Sequence, residues 1–217
     1  MFFLDKTLAF PPVSRASKEG FIAIGGDLSP ERLMLAYRNG IFPWFDKDSP
    51  ILWWSPDPRM VLFPEELKIS KSMRKILDRE IFTVTFDRDF RSVIRACAEI
   101  KRMGQDDTWI TDDMIEAYCH LHALGHAKSV EVWQGDTLAG GLYGVDLGNV
   151  FCGESMFSRI SNASKAGFIT LTEKLKKENY KLIDCQVYTS HLASLGAREI
   201  SRGAFIRILK EENGHHH

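Results

Sequence analysis

The chain has 217 residues, enough for one large domain or two small ones. Apolar residues make up 44% and charged residues 26%, a globular balance that excludes wholesale disorder; the formal net charge of -1 excludes a protein that coats nucleic acid with its whole surface. No apolar run reaches the ~18 residues that span a bilayer, and Met1 to Lys6 lack the basic and apolar regions of a secretory signal, so a soluble cytoplasmic protein with no membrane partner is expected.

The first sixty or so residues crowd aromatics with prolines, in Phe42-Pro43-Trp44-Phe45 and in Trp53-Trp54-Ser55-Pro56-Asp57-Pro58-Arg59. Proline fixes φ and donates nothing to a ladder, so these stretches are loops or short extended pieces. Between them Ser29 caps a helix that starts at Pro30, turns Leu33, Ala36 and Tyr37 to one face, and stops at Gly40. From residue 63 the pattern becomes ordinary α+β: a helix over 70–79, a strand over 82–86, and helices over 89–102 and 111–124. Strands over 129–133, 138–145 and 150–157 follow, joined by the turns Gly135-Asp136 and Asp146-Leu147-Gly148-Asn149. A helix over 162–177, a strand over 182–187, a turn of helix near His191 and a strand over 204–209 complete the reading. A meander, a helix and a further strand resemble in pattern the acetyltransferase-like (GNAT) core.

Cys97, Cys119, Cys152 and Cys185 are too scattered for a zinc site or a disulfide framework. His122 and His126 stand four apart but lack a third ligand, and His215, His216 and His217 read as an affinity-tag remnant. Neither Gly25-Gly26-Asp27 nor Gly140-Gly141 continues as a phosphate-binding fingerprint, and no serine-nucleophile elbow occurs.

Two strands carry polar residues inside apolar runs. On 182–187, alternation puts Asp184 and Gln186 on one face, which suits either a site or a solvated edge strand. On 150–157 it puts Cys152, Glu154 and Met156 together. Glu154 is then either paired with a cation of the protein or is a fixed negative charge that holds an ammonium group.

A series of segments is specific enough to name a family. They are Gly25-Gly26-Asp27-Leu28-Ser29-Pro30-Glu31-Arg32-Leu33, Tyr37, Gly40-Ile41-Phe42-Pro43-Trp44 and Trp53-Trp54-Ser55-Pro56-Asp57-Pro58-Arg59. Thr108-Trp109-Ile110, Ser129-Val130-Glu131-Val132-Trp133, Gly153-Glu154-Ser155-Met156-Phe157-Ser158, Ala163-Ser164-Lys165, Asp184-Cys185-Gln186 and Ser194-Leu195-Gly196-Ala197 follow. In this order, over nearly the whole chain, they resemble the bacterial leucyl/phenylalanyl-tRNA–protein transferases.

The resemblance implies a small N-terminal α+β domain over 1–62 and a GNAT-like catalytic domain over 63–212, with 213–217 as tag. It implies transfer of leucine or phenylalanine, and also methionine, from aminoacyl-tRNA to proteins beginning with arginine or lysine. The product enters N-degron proteolysis. No metal or coenzyme is needed, and a monomer is expected.

Carried over by similarity, Leu142, Phe151 and Met156 wall an apolar pocket for the amino acid's side chain. Strict alternation sets Phe151 opposite Met156, so that pairing needs a bulge or another layer. Trp44 and Trp109 stack on the terminal adenosine, at ~1–3 kcal/mol per base, and Tyr37 and Tyr118 join the substrate-binding set. Glu154 binds the aminoacyl ammonium. Asp184 accepts from the Gln186 amide, and Gln186 steers the attacking amine, while a tRNA oxygen, water and Asp184 all stay open as proton acceptor. Lys71, Arg74, Lys75 and Arg79 fall on one side of the helix over 70–79, opposite Met73, Ile76 and Leu77; with a polyanionic partner implied, they become a phosphate-contacting face.

Two other classes remain as alternatives. A nucleic-acid-binding module without chemistry has no use for Glu154, Asp184 and Gln186. An acyl-coenzyme-A N-acyltransferase calls for a glycine-rich pyrophosphate loop where this chain has Arg159-Ile160-Ser161-Asn162-Ala163-Ser164.

Overall fold

In the computed structural model, which describes residues 2–100 and 110–211, the tryptophan- and proline-rich start of the chain builds a four-stranded sheet. Strand β1 (Phe3–Leu4) runs parallel to β2 (Phe21–Gly25); after helix α1 (Pro30–Arg38), β3 (Phe42–Pro43) and β4 (Leu52–Trp54) complete the order β1-β2-β4-β3. Helix α1 begins as its sequence requires, with Ser29 Oγ accepting from the Arg32 N–H at 3.4 Å. Leu33, Ala36 and Tyr37 are buried. The chain leaves at Gly40, whose φ of +72° suits a residue without Cβ.

The second sheet has seven strands. They come from β5 (Arg59–Leu62), then, after α2 (Lys71–Asp78), β6 (Thr83–Phe86), and after α3 (Phe90–Glu99) and α4 (Asp112–Ala123), the meander β7 (Ala127–Gln134), β8 (Thr137–Asp146) and β9 (Val150–Ser158). Helix α5 (Ala163–Lys177) leads to β10 (Leu182–Gln186), and α6 (Ser190–Ser194), β11 (Arg198–Ile200) and α7 (Arg202–Lys210) follow. The order is β11-β5-β10-β9-β8-β7-β6, with β10 parallel to β9. A meander, a helix and a parallel strand are the pattern expected of the acetyltransferase-like core. β5 lies inside this sheet although its residues precede the sequence-based boundary at residue 62, so the small sheet ends before Arg59.

Apolar side chains fill both faces of the large sheet. One layer gathers Tyr37 of α1, Val93 of α3, Tyr118 of α4 and Phe205 of α7; the other gathers Met73 of α2 and Phe168, Ile169 and Leu175 of α5. The N-caps foreseen at Ser70 and Thr111 are present, accepting from Met73 N–H at 3.1 Å and Met114 N–H at 3.3 Å.

One element differs in kind. The strand expected over 204–209 is the helix α7, because Phe205 and Leu209 are buried at helical spacing and Ser201 Oγ caps the first turn from Ala204 N–H at 3.2 Å. Phe205 and Leu209, four apart, also fall on one face of a strand, which is how the same residues suggest one. For the helix expected over 89–102, α3 covers Phe90–Glu99, and Lys101 and Arg102 lie outside the described residues.

Candidate active site

The site opens where two strands part. β10 and β9 pair from Leu182↔Val150 to Asp184↔Cys152, and beyond that point each strand carries an irregularity. On β9 the register against β8 shifts between Tyr143↔Ser155 and Gly144↔Gly153, leaving Glu154 as the extra residue of a β-bulge. A Cβ on Gly144 would come within 2.3 Å of the Cys152 carbonyl oxygen and 2.7 Å of the Phe151 ring, so glycine permits this approach.

The bulge corrects the expected faces. Cys152 and Phe157 belong to one layer, whereas Phe151, with Met156 packed against its cluster, belongs to the other. Cys152, Glu154 and Met156 therefore do not share a face; Phe151 and Met156 do. Leu142 lies directly across from Met156 and joins them.

These three side chains line a cavity of about 390 Å³, together with Phe168 of α5, Ile183 of β10, and His191 and Leu192 of α6. Its wall is mostly apolar. His191 Nε2 is buried there with no hydrogen-bond partner among the described residues, and burial, with the charge of Lys165, holds the imidazole below its usual pKa and so favours the neutral ring. Trp44 stands at the rim, 43% exposed, and its backbone carbonyl accepts from Trp54 Nε1 at 2.7 Å. Trp53 is buried by contrast, with its Nε1 donating to the Gly25 carbonyl at 2.8 Å, which makes it a strut of the small sheet. Trp109, the other residue expected to stack on a base, lies outside the described residues.

Glu154 and Gln186 close one side of the cavity. Gln186 Nε2 donates to Glu154 Oε1 at 2.7 Å, and Tyr118 Oη reaches Glu154 Oε2 at 3.5 Å. Tyr118 is hydrogen-bonded in turn to the buried hydroxyl of Tyr37. Burial pushes the Glu154 carboxyl up from its ordinary 4.5 to about 8, outweighing its hydrogen bonds. Burial, with the charge of Glu154, likewise holds both tyrosines well above their usual value. Two phenols, a carboxyl and an amide thus form one hydrogen-bonded chain that leads from the buried tyrosines to the cavity.

Asp184 stands differently from expectation. β10 is an interior strand and Asp184 is fully buried, which removes the solvated-edge reading. Its carboxylate pairs with Arg59, Nε to Oδ1 at 2.8 Å and Nη2 to Oδ2 at 2.7 Å. Oδ1 also accepts from the backbone N–H of Gln186 at 2.9 Å. The expected bond from the Gln186 side-chain amide is absent, since that amide points to Glu154. Both oxygens of Asp184 are thus engaged within the protein. Removing one member of a buried pair typically costs about 3–5 kcal/mol, because the other charge is stranded.

The cationic face is exposed as its spacing requires. Lys71, Arg74 and Lys75 of α2 and Arg79 at its end face solvent, while Met73 is buried and Ile76 and Leu77 are half-buried. Arg74 makes a loose ion pair with Glu173 at 3.9 Å between two half-exposed side chains, worth little in water. His122 stacks on Phe90 at 4.5 Å between centroids and bonds the Ala127 carbonyl oxygen at 2.8 Å.

Comparison with known proteins gives this arrangement a lineage. The family model described as leucyl/phenylalanyl-tRNA protein transferase matches residues 61–210, and the model of that family's N-terminal domain matches 26–57. The chain belongs to the leucyl/phenylalanyl-tRNA protein transferase family. It is an aminoacyltransferase by that membership. A leucyl/phenylalanyl-tRNA–protein transferase of Flavobacterium johnsoniae is 66% identical, over 98% of this chain and all of the relative; one of Flavobacterium psychrophilum is 58% identical, over 97% and all. Among solved structures, a GCN5-related N-acetyltransferase from Kribbella flavida is similar over 77% of this chain and 60% of its own, with 8% identity and a TM-score of 0.37.

Sequence reasoning passes over three kinds of residue here. Phe168, Ile183 and Leu192 look like any core position until the cavity is seen. His191 has one local signal, the Thr189 cap that starts α6 by accepting from Leu192 N–H at 3.2 Å. Arg59 is visible only as the last residue of a proline-rich motif, and its partner is 125 positions away.

Proposed function

We propose that the protein transfers leucine or phenylalanine, and also methionine, from aminoacyl-tRNA to the α-amino group of proteins beginning with arginine or lysine. The product is thereby marked for N-degron degradation. The observation that carries the reading is the apolar cavity closed by Glu154 and Gln186 in a chain of this family. An unbranched apolar pocket prefers Leu, Phe and Met over smaller side chains by ~1–3 kcal/mol per methylene. The charged ends of the reacting amino acids then lie beside the polar pair.

In this scheme Leu142, Phe151 and Met156 grip the side chain, and Trp44 with Trp109 stacks on the terminal adenosine. Lys71, Arg74, Lys75 and Arg79 contact tRNA phosphates. Glu154 takes the ammonium, whose positive charge favours the ionised carboxylate. With the Gln186 amide nitrogen bound to Glu154, its carbonyl oxygen is the group it offers to the incoming amine. The amine attacks the ester carbonyl, the bond to the ribose oxygen breaks, and the amine's proton leaves to a tRNA oxygen or water. A neutral amide orients the amine; it is too weak a base to take the proton. Tyr37 and Tyr118 hold Glu154. We assign the N-terminal unit to residues before Arg59 and the catalytic unit from Arg59 on, and place the monomeric protein in the cytoplasm; among the described residues no helix is long and apolar enough to cross a membrane.

The deciding assay incubates the protein with leucyl-tRNA and peptides that differ only in a first residue of arginine, lysine or alanine. Leucylation of the first two and not the third supports the reading. Transfer to none of them, or acetylation of the same peptides from acetyl-coenzyme A, refutes it.

A further inference from the structure

Arg59 is 1% exposed and has no part in the scheme above. Its guanidinium lies between two aromatic faces, 4.8 Å from the Phe42 centroid and 4.6 Å from that of Phe205. Nη1 donates to the Gly40 carbonyl at 3.1 Å, and the remaining edge grips both oxygens of Asp184 as a fork. Two rings, a carbonyl and a bidentate carboxylate leave the guanidinium a single orientation. Phe42 follows α1, Phe205 sits on α7 and Asp184 on β10, so distant stretches of the chain meet at this one side chain.

The next link is backbone. Gln186, whose N–H Asp184 accepts, has φ of +64°. For a residue with a Cβ this left-handed conformation is disfavoured and persists only where its surroundings over-determine it. An immobilised carboxylate two residues upstream is such a constraint. The turned backbone is what carries the Gln186 side chain to Glu154, 2.7 Å from Nε2 to Oε1.

We propose that Arg59 is a positioning residue for aminoacyl transfer: by clamping Asp184 it holds Gln186 in the left-handed conformation that brings its amide to Glu154. The inference rests on the function proposed above, in which Gln186 meets the attacking amine. A plain structural pair is the competing explanation, and the two separate cleanly. Buried ion pairs are often replaceable by apolar residues of similar volume without loss of stability, provided both charges go together.

Arg59→Met combined with Asp184→Leu removes both. A positioning clamp leaves the urea-unfolding midpoint near that of the unaltered protein but lowers kcat about 100-fold, the usual effect of moving a reacting group by about 1 Å. KM for leucyl-tRNA stays unchanged, and the Gln186 backbone amide loses its protection from hydrogen exchange. Adding Gln186→Ala to the double variant causes little further loss, since both changes strike one step. Unchanged kcat with retained Gln186 protection, or an independent multiplication of the two losses, overturns the proposal.

Should the double variant fail to fold, Arg59→Lys decides, because it keeps the charge and loses the fork. A folded lysine variant with reduced kcat supports the clamp, whereas full kcat, or a loss that only tracks the unfolded fraction, overturns it. Failure of the broader reading looks different. The unaltered protein would then leucylate no peptide, while exchange at Gln186 still reports whether Arg59 holds it.

Discussion

Replacing Glu154 by glutamine should remove a pH dependence of folding that one half-buried carboxyl creates. Its pKa is lifted by burial from 4.5 to about 8, so the folded protein binds this proton more tightly than the unfolded chain does. Protonation therefore favours folding. The contribution of this one group to stability is full below about pH 4.5, falls as pH rises toward about 8, and levels off above it. At 1.36 kcal/mol per pH unit the difference has a ceiling of about 5 kcal/mol, and water reaching the site through the cavity mouth reduces this to on the order of 2–3 kcal/mol.

Glutamine keeps an oxygen for the Gln186 amide and cannot ionise. Asp184, Arg59, Tyr37, Tyr118 and Cys152 face the same site and remain in both proteins, so the comparison isolates position 154. Urea unfolding of the two proteins at pH 5, 7 and 9 measures the effect. The variant should gain on the original by on the order of 2–3 kcal/mol between pH 5 and pH 9. A stability difference that is flat across that range would show that Glu154 is not held in the state described, and the hydrogen-bonded chain would need another account.

Met156→Ala should enlarge the cavity and cut the preference for Leu and Phe over smaller aminoacyl groups by ~1–3 kcal/mol, read from competition between charged tRNAs, with affinity for uncharged tRNA unchanged. Gly144→Ala should destabilise the fold by about 1–3 kcal/mol through the contact with the Cys152 carbonyl, visible as a lower urea midpoint. The fourfold alanine variant at Lys71, Arg74, Lys75 and Arg79 should flatten the dependence of log affinity on log salt by about 3, at ~0.7–0.9 per phosphate contact; an unchanged slope would make α2 merely solvated. Trp44→Ala should weaken binding of charged tRNA by about 1–3 kcal/mol and Trp44→Phe by less, as expected of a stacking surface.

What the sequence discloses here depends on the range over which each signal acts. Ser29 with Pro30, Ser70 and Thr111 act on their own next turn, and the helices they cap stand where those residues place them. The amphipathic split of α2 is equally local. The bulge at Glu154 is not, because it exists only in the register between Gly144 and Gly153 of neighbouring strands, and it brings onto one face Phe151 and Met156, which alternation sets on opposite faces. Asp184 and Gln186 stand out in the sequence as polar residues inside an apolar run, which suits a site and a solvated edge strand alike. Their actual connection, through a backbone N–H and a positive φ, leaves no trace in residue type. The expected strand at 204–209 failed for a different reason: Phe205 and Leu209 fit periods of two and of 3.6 alike, and the Ser201 cap was the signal that separates them.

The fork between Arg59 and Asp184 joins residues 125 positions apart, and β5 takes its place between β10 and β11 through pairings of comparable span. Local helices and the β7–β8–β9 meander can form early, because the loops they close are short. The strand that carries Asp184 and Gln186 gains its second neighbour only when the first third of the chain meets the last. Recovery of transferase activity after dilution from urea should therefore lag behind the return of helical signal and coincide with the slowest folding phase.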